Sequence, residues 1–451
     1  MKKIKTVYLV IGGGPVGIQA TRILRANRPE SSVTVIRPEE FSVIYCAIPY
    51  VIEGVIEHQA LAKKDELITE TGATLIRSRV KSVDFDGHLV TLENGQVIEY
   101  SKLLIATGAV PFLPPVPGRD LPGIYTVKTA ADTEKIQKAA NSAKKVVVIG
   151  AGAIGIEQAQ AMKSLGLEVH LVDMAGHPLS AMLDEDFGKI VLEELTHHGI
   201  IWHGNAGLSE FRGEKAVKEV VLANGKIIEL KENHDFSIVS VGVKPDLTIF
   251  SNSRLEISND GINVSSSMQT SIDGVYAAGD CVHYWSGIDG RPLGGKLATN
   301  AVPMAKVAAR SMLGKKAEYQ GFFNGAATCA GELRIGGTGF TETLAKARGF
   351  KTVVGLGQTT SRFPIMPGAR KVQVKLVADA ETGRILGGQV IGHEAVAERI
   401  DLISLALQNG LDLKKLAQFS YSAQPWQTFY PANNAIVMAA ENALAKLSQS
   451  D

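Results

Sequence analysis

The chain has 451 residues, more than one hydrophobic core can organise, so it must divide into several domains. Hydrophobic residues make up 45% and charged residues 21%, which excludes a disordered or fibrous chain. Lys plus Arg (47) balance Asp plus Glu (46), so charge gives no reason to expect a nucleic-acid partner, and no apolar run is long enough to span a bilayer.

The first residues, MKKIKTVYLVI, begin basic and turn apolar, as a signal peptide would. The apolar part lasts only from Val7 to Ile11 before glycines follow, so it reads as a first strand. Gly12-Gly13-Gly14-Pro15-Val16-Gly17 comes next, then the helical stretch IQATRILRAN and a second strand, SVTVI. This is a βαβ unit with GxGxxG at its first turn. Gly12 permits the tight turn, Gly14 lets the backbone approach a pyrophosphate, and Gly17 lets helix and strand pack. The phosphates belong at the helix N-terminus, where free N–H groups favour negative charge. The acid that should follow the second strand is missing; Arg37 stands there, with Glu39 and Glu40 behind it. Either Glu39 or another group reaches the ribose, or Arg37 serves an adenine-side phosphate, or the site is empty.

Cys46 follows, in FSVIYCAIPY. Pro49, with no N–H and a preset φ, belongs in the first turn of a helix, so Cys46 is expected just before or at that helix's start, where the dipole favours a thiolate. The three cysteines, Cys46, Cys281 and Cys329, lie far apart. They make no disulfide framework and no paired metal-ligand spacing, so no metal is expected, any active thiol works alone, and a reducing cytoplasm is the expected compartment.

The glycine loop recurs. KKVVVI leads into Gly150-Ala151-Gly152-Ala153-Ile154-Gly155, then IEQAQAMKSLG, then the strand EVHLV, which ends at Asp173. Gly150, Gly152, Ile154 and Gly155 are expected at a second dinucleotide. Asp173 falls where a carboxylate accepts from both ribose hydroxyls and repels a 2′-phosphate, which favours NADH over NADPH. The Pro/Gly-rich PFLPPVPGRDLPG is the natural crossover into this second unit.

TSIDGVYAAGD, ending at Gly279-Asp280, resembles the second flavin-binding motif of the FAD-dependent pyridine nucleotide-disulfide oxidoreductases. LLIATGAVP, with Ala106, Thr107 and Gly108, resembles that family's connection out of the FAD domain, and FSIVSVGVKPD, with Gly242, the return from the NAD domain. The resemblance runs along the whole chain. It implies an α/β architecture of two Rossmann-like domains and a C-terminal α+β interface domain. The FAD domain comes in two pieces, 1–115 and 241–320. The NAD(P)H domain, 116–240, is inserted between them, and a dimerisation domain spans 321–451. It also implies that Pro15, Arg37, Gly279, Asp280 and Ala298 join the glycines at the cofactors, FAD and NADH, and that two subunits complete each other's active sites.

In the branch of that family with a single redox cysteine, the cysteine stands where Cys46 stands. CAIPY resembles the motif of its coenzyme A-disulfide and persulfide reductases. Peroxidases and water-forming oxidases of the branch carry a histidine where this chain has Pro15, which counts against peroxide as substrate. Tyr421, in FSYSAQPW, matches a tyrosine that faces the partner subunit's cysteine; Met366 replaces a second such tyrosine. Glu157, just past the Gly155 turn, resembles a glutamate near the nicotinamide. Arg22 and Arg25 either meet coenzyme A phosphates or form a solvated face. The implied activity is NADH-dependent reduction of coenzyme A disulfide, or a related persulfide or polysulfide, through FAD and Cys46, with coenzyme A as substrate or product. The alternatives are an NADH oxidase forming hydrogen peroxide and a ferredoxin- or rubredoxin-type electron-transfer reductase.

Overall fold

The computed structural model describes residues 3–449 and divides into two compact units. The first comprises 1–112, 128–131 and 242–322; the second comprises 113–127, 132–241 and 323–451. Among the described residues no helix is long and apolar enough to cross a membrane.

The first unit is built on a seven-stranded sheet. Thr74–Ile76, Val33–Ile36, Ile4–Ile11 and Val97–Ile105 lie side by side and parallel. Val275–Ala277 joins parallel to the end of Val97–Ile105, at Leu103 to Ile105. Strands buried on both faces are apolar along their length, and Leu9, Val10, Leu103 and Leu104 are all fully buried. The antiparallel strands Val80–Asp84 and Leu89–Leu92 extend the sheet beyond the opening of Val97–Ile105. The helix Pro15–Asn27 has Pro in its first turn and buries Val16, Ile18, Ala20 and Leu24. It packs against the helix Ala298–Met312. The short strands Val110–Pro111 and Val243–Lys244, where the chain leaves and re-enters this unit, pair antiparallel.

The second unit holds two sheets of different character. Ile124–Thr126, Phe236–Val239, Lys145–Ile149, Glu168–Val172 and Ile200–His203 form an all-parallel sheet, with the helix Ala153–Ser164 crossing between its third and fourth strands. The C-terminal sheet is antiparallel, in the order Ala326–Ala330, Leu333–Gly339, Ile385–Gly392, Lys371–Asp379, Thr352–Thr360, with the helices Val396–Gln408 and Ala435–Leu447 against it.

A buried carboxylate ties these two sheets together. Asp184 precedes the helix Glu185–His197. Its oxygens accept from the backbone N–H groups of Glu342 (3.0 Å) and Thr343 (3.1 Å) and from Gln389 Nε2 (2.6 Å), and Lys375 Nζ lies 3.3 Å away. Burial pushes this carboxyl up, but the hydrogen bonds and Lys375 outweigh it and hold the group below the usual range. Lys375 is itself buried and also donates to Asp186 at 2.8 Å. Removing one partner of a buried pair leaves the other charge uncompensated, which costs about 3 kcal/mol. Lys375→Met is therefore expected to lower unfolding stability by about that amount in a denaturant titration, and adding Asp184→Asn to recover part of the loss.

Candidate active site

The first cradle forms at the carboxyl ends of the parallel strands in the first unit. Gly12 has φ +118°, and a Cβ there would lie 2.0 Å from the Ala106 carbonyl oxygen, so only glycine allows this approach. A Cβ on Gly14 would point into open space, which is the room a pyrophosphate needs beside a helix N-terminus. Gly17 packs on the Gly12 carbonyl, and Pro15 opens the helix. Ala106 N donates to Ile11 O at 2.8 Å, and the chain turns through exposed Thr107 and half-buried Gly108. Gly279 packs on Val16 and presents Asp280, whose Oδ1 accepts from the Tyr284 hydroxyl at 3.3 Å. Ala298 is exposed at the start of its helix. Two helix N-termini, an open glycine turn and a half-exposed carboxylate thus converge. That set fits a flavin dinucleotide: N–H groups for the phosphates and an acceptor for hydroxyls.

Arg37 is only 2% exposed. Its methylenes run beneath Gly13, and its Nε and Nη2 donate to Glu39 O (3.0 Å), Glu40 O (2.8 Å) and Asp65 Oδ1 (2.6 Å). Arg77 adds bonds to Glu40 O and Asp65. The guanidinium is committed to holding the 39–40 turn, in which Glu39 and Glu40 are both exposed.

The second cradle, in the second unit, repeats the geometry of the first. Gly150 has φ +99°, a Cβ on Gly155 would lie 1.8 Å from Gly150 O, and Gly152 faces open space. Ile154 is 47% exposed beside it. Asp173 Oδ2 accepts from Ala151 N at 2.6 Å and Oδ1 from Ala175 N at 2.8 Å. The loop therefore orients the carboxylate, which keeps lone pairs for ribose hydroxyls. Gly242, expected among the cofactor residues, lies in the first unit, where its carbonyl accepts from Phe112 N.

Cys46 is an exposed free thiol in the first unit, in the three-residue 3-10 turn Tyr45–Ala47. The helix Ile48–Glu53 follows, with Pro49 in its first turn and Gly54 closing it. With six residues this helix has a weaker dipole than the sequence led us to expect. A full charge stands nearby instead. Ser42–Val43 pairs with Ala62–Lys63, and Ile44 N donates to Leu61 O at 2.8 Å, which brings Lys63 alongside the cysteine segment. Burial holds the Lys63 ammonium below its usual range, and the nearby Cys46 acts in the opposite direction. Lys128 Nζ sits 3.8 Å above the Tyr45 ring. Burial lowers Lys128 against the opposing charges of Asp280 and Glu39. Burial, with the same two acids, pushes Tyr45 up to about 12. Sequence reasoning missed Lys63, Lys128 and Tyr45, because none belongs to a motif and a two-residue ladder leaves no periodic signal.

Cys281 is fully buried, with its sulfur 3.3 Å from Ala278 O, and burial pushes it up to about 11. Cys329 is half-buried in the strand Ala326–Ala330. Glu157 lies on the helix that begins at the second glycine loop; burial raises its carboxyl, and a 2.7 Å bond from the Thr328 hydroxyl opposes that. Tyr421 is 41% exposed, and its hydroxyl donates to Pro431 O at 2.7 Å. The segment with Met366 meets the Tyr421 segment through the rings of Phe363 and Tyr430 and through Phe363 N donating to Pro425 O. Arg22 is exposed. Arg25 donates to Thr71 O (2.8 Å) and Ser31 O (2.7 Å), which ties its helix to neighbouring turns and speaks against a free phosphate ligand.

Comparison with known proteins agrees with this geometry. Residues 6–305 match the model for the pyridine nucleotide-disulphide oxidoreductases, and residues 326–428 match the dimerisation domain of the same family. An NADH oxidase of Methanocaldococcus jannaschii is 34% identical, over 98% of this chain and 99% of its own. A CoA-dependent NAD(P)H sulfur oxidoreductase of Pyrococcus furiosus is 32% identical, over 92% and 93%. The solved NAD-dependent persulfide reductase of A. fulgidus superposes with a TM-score of 0.93 at 26% identity, covering 99% of this chain and 84% of that one. The chain belongs to the pyridine nucleotide-disulphide oxidoreductases and is an FAD-dependent NAD(P)H oxidoreductase.

Proposed function

We propose that this protein is an NADH-dependent reductase of small sulfur compounds, with coenzyme A disulfide or a related persulfide or polysulfide as substrate and Cys46 as its one redox thiol. The observation that carries this reading is the contrast among the cysteines: Cys46 is exposed in the unit that holds the first cradle, and Cys281 is sealed in its core. The residues Gly12, Gly14, Gly17, Ala106–Gly108, Asp280 and Ala298 would hold FAD, and Gly150, Gly152, Gly155 and Asp173 would hold NADH. Bound FAD supplies the two-electron relay between nucleotide and sulfur.

The Cys46 thiolate attacks one sulfur of the disulfide, forms a mixed disulfide and expels the first thiolate. Two electrons from NADH then cleave the Cys46–sulfur bond, which releases the second thiolate and restores Cys46. The balance is one disulfide, one NADH and one proton giving two thiols and NAD⁺. Lys63 lies alongside, and its ammonium offers a positive charge to an anionic disulfide or persulfide approaching Cys46. In a homodimer, Tyr421 of one subunit serves the other's site, and its hydroxyl must leave Pro431 O to donate to a departing thiolate. The relative named a CoA-dependent NAD(P)H sulfur oxidoreductase supports a substrate that contains coenzyme A, although Arg25 is held by the fold rather than presented to its phosphates.

The relatives named NADH oxidase favour a second reading, reduction of oxygen. Pro15, in the glycine loop, has no proton to exchange and gives no support for peroxide chemistry.

With coenzyme A disulfide under anaerobic conditions, the wild type should consume NADH and Cys46→Ser should lose at least a hundredfold in rate, a loss typical of a missing nucleophile. NADH consumption that appears only in air, equal in both proteins, would move the assignment to an oxidase. Iodoacetamide at pH 7 should alkylate Cys46 at least about tenfold faster than Cys281, as read by peptide mass spectrometry; equal rates would remove the contrast on which the reading stands.

A further inference from the structure

The helix Ala153–Ser164 carries two polar side chains one turn apart that meet the first strand of the C-terminal sheet: Glu157 and Gln160. Gln160 acts as a suture. Its Nε2 donates to Cys329 O at 2.9 Å, and its Oε1 accepts from Gly331 N at 2.6 Å. Glu157 makes a different contact, side chain to side chain. The hydroxyl of Thr328, only 6% exposed, donates to Glu157 Oε1 at 2.7 Å. Holding two elements together needs no ionisable group, and Gln160 already does it with neutral atoms.

Two influences move the Glu157 carboxyl: burial, which favours the neutral acid, and the Thr328 hydrogen bond, which favours the carboxylate. The same bond fixes Oε1 in place and leaves lone pairs on both oxygens for a ligand. Glu157 is near the start of the helix that opens at Gly150, in the first turns beyond the loop that takes a dinucleotide.

We propose that Thr328 is a positioning residue for the nucleotide site, holding the Glu157 carboxylate through Oε1 in the orientation it presents to the bound nucleotide. The inference rests on the reading of Glu157 as the carboxylate on the nicotinamide side. Its consequence is that a residue of the C-terminal sheet, outside either glycine loop, tunes how the nucleotide binds.

The test is the pH dependence of NAD⁺ affinity, measured by calorimetry on the FAD-loaded protein from acidic to mildly alkaline pH. Removing the donor leaves burial unopposed, so Thr328→Val should shift the midpoint upward by about one pH unit. Thr328→Ser, which keeps the donor, should retain the wild-type midpoint, and Glu157→Gln should abolish the transition. If Thr328→Val fails to fold, Thr328→Ala reads the same midpoint. A transition absent in Glu157→Gln but unmoved when the hydroxyl is removed would overturn the role of Thr328 and leave Glu157 in place. A wild-type transition that survives in Glu157→Gln would overturn the reading of Glu157 and the inference with it.

Discussion

A Cβ at Gly17 would stand 2.0 Å from the Gly12 carbonyl oxygen, and one at Gly155 would stand 1.8 Å from the Gly150 carbonyl oxygen. The rest of the structure depends on these two close approaches. Each lets a parallel strand turn directly into a helix with bare N–H groups at the turn, and each leaves open space at the middle glycine, Gly14 or Gly152. A larger residue at the crowded glycines would separate helix from strand and spoil the cradle. Two acids then complete the cradles in different ways. Asp280 arrives from a distant part of the chain, whereas Asp173 ends the next strand of its own βαβ unit and is oriented by the loop it serves.

Reactivity is distributed by burial. Three cysteines share one chemistry, but the protein puts Cys281 in the sheet's core, where a thiolate is costly, and leaves Cys46 exposed on a 3-10 turn. The short helix after Cys46 contributes little field, and a two-strand ladder sets Lys63 beside the cysteine in its place. A compact ammonium held by backbone pairing is a stronger and more local source of positive potential than one helical turn.

The parallel sheets, both glycine loops and the Asp173 carboxylate were legible in the sequence because each has a local pattern: an apolar run, a glycine spacing, an acid at a fixed distance. The position of Cys46 before a proline-led helix was legible for the same reason, but the length of that helix was not, since Gly54 ends it within two turns. The sequence left a ligand role for Arg37 and Arg25 open beside others, and in the structure their guanidiniums donate to backbone carbonyls and, for Arg37, to Asp65. A sequence gives the charge of an arginine without its direction. Thr328 reaches Glu157 across 171 positions, and Lys128 comes to lie over Tyr45 from outside any motif; only the folded chain brings such groups together.

The central claim is that Cys46 carries the substrate sulfur between one thiolate and the next. It is tested most directly by peptide mass spectrometry on holoenzyme exposed anaerobically to a small excess of coenzyme A disulfide. The account predicts a coenzyme A adduct on the Cys46 peptide, absent from the Cys281 and Cys329 peptides, that disappears when one equivalent of NADH is added. NADH oxidised by the disulfide with no adduct at Cys46, or an adduct that persists through the addition of NADH, would contradict it.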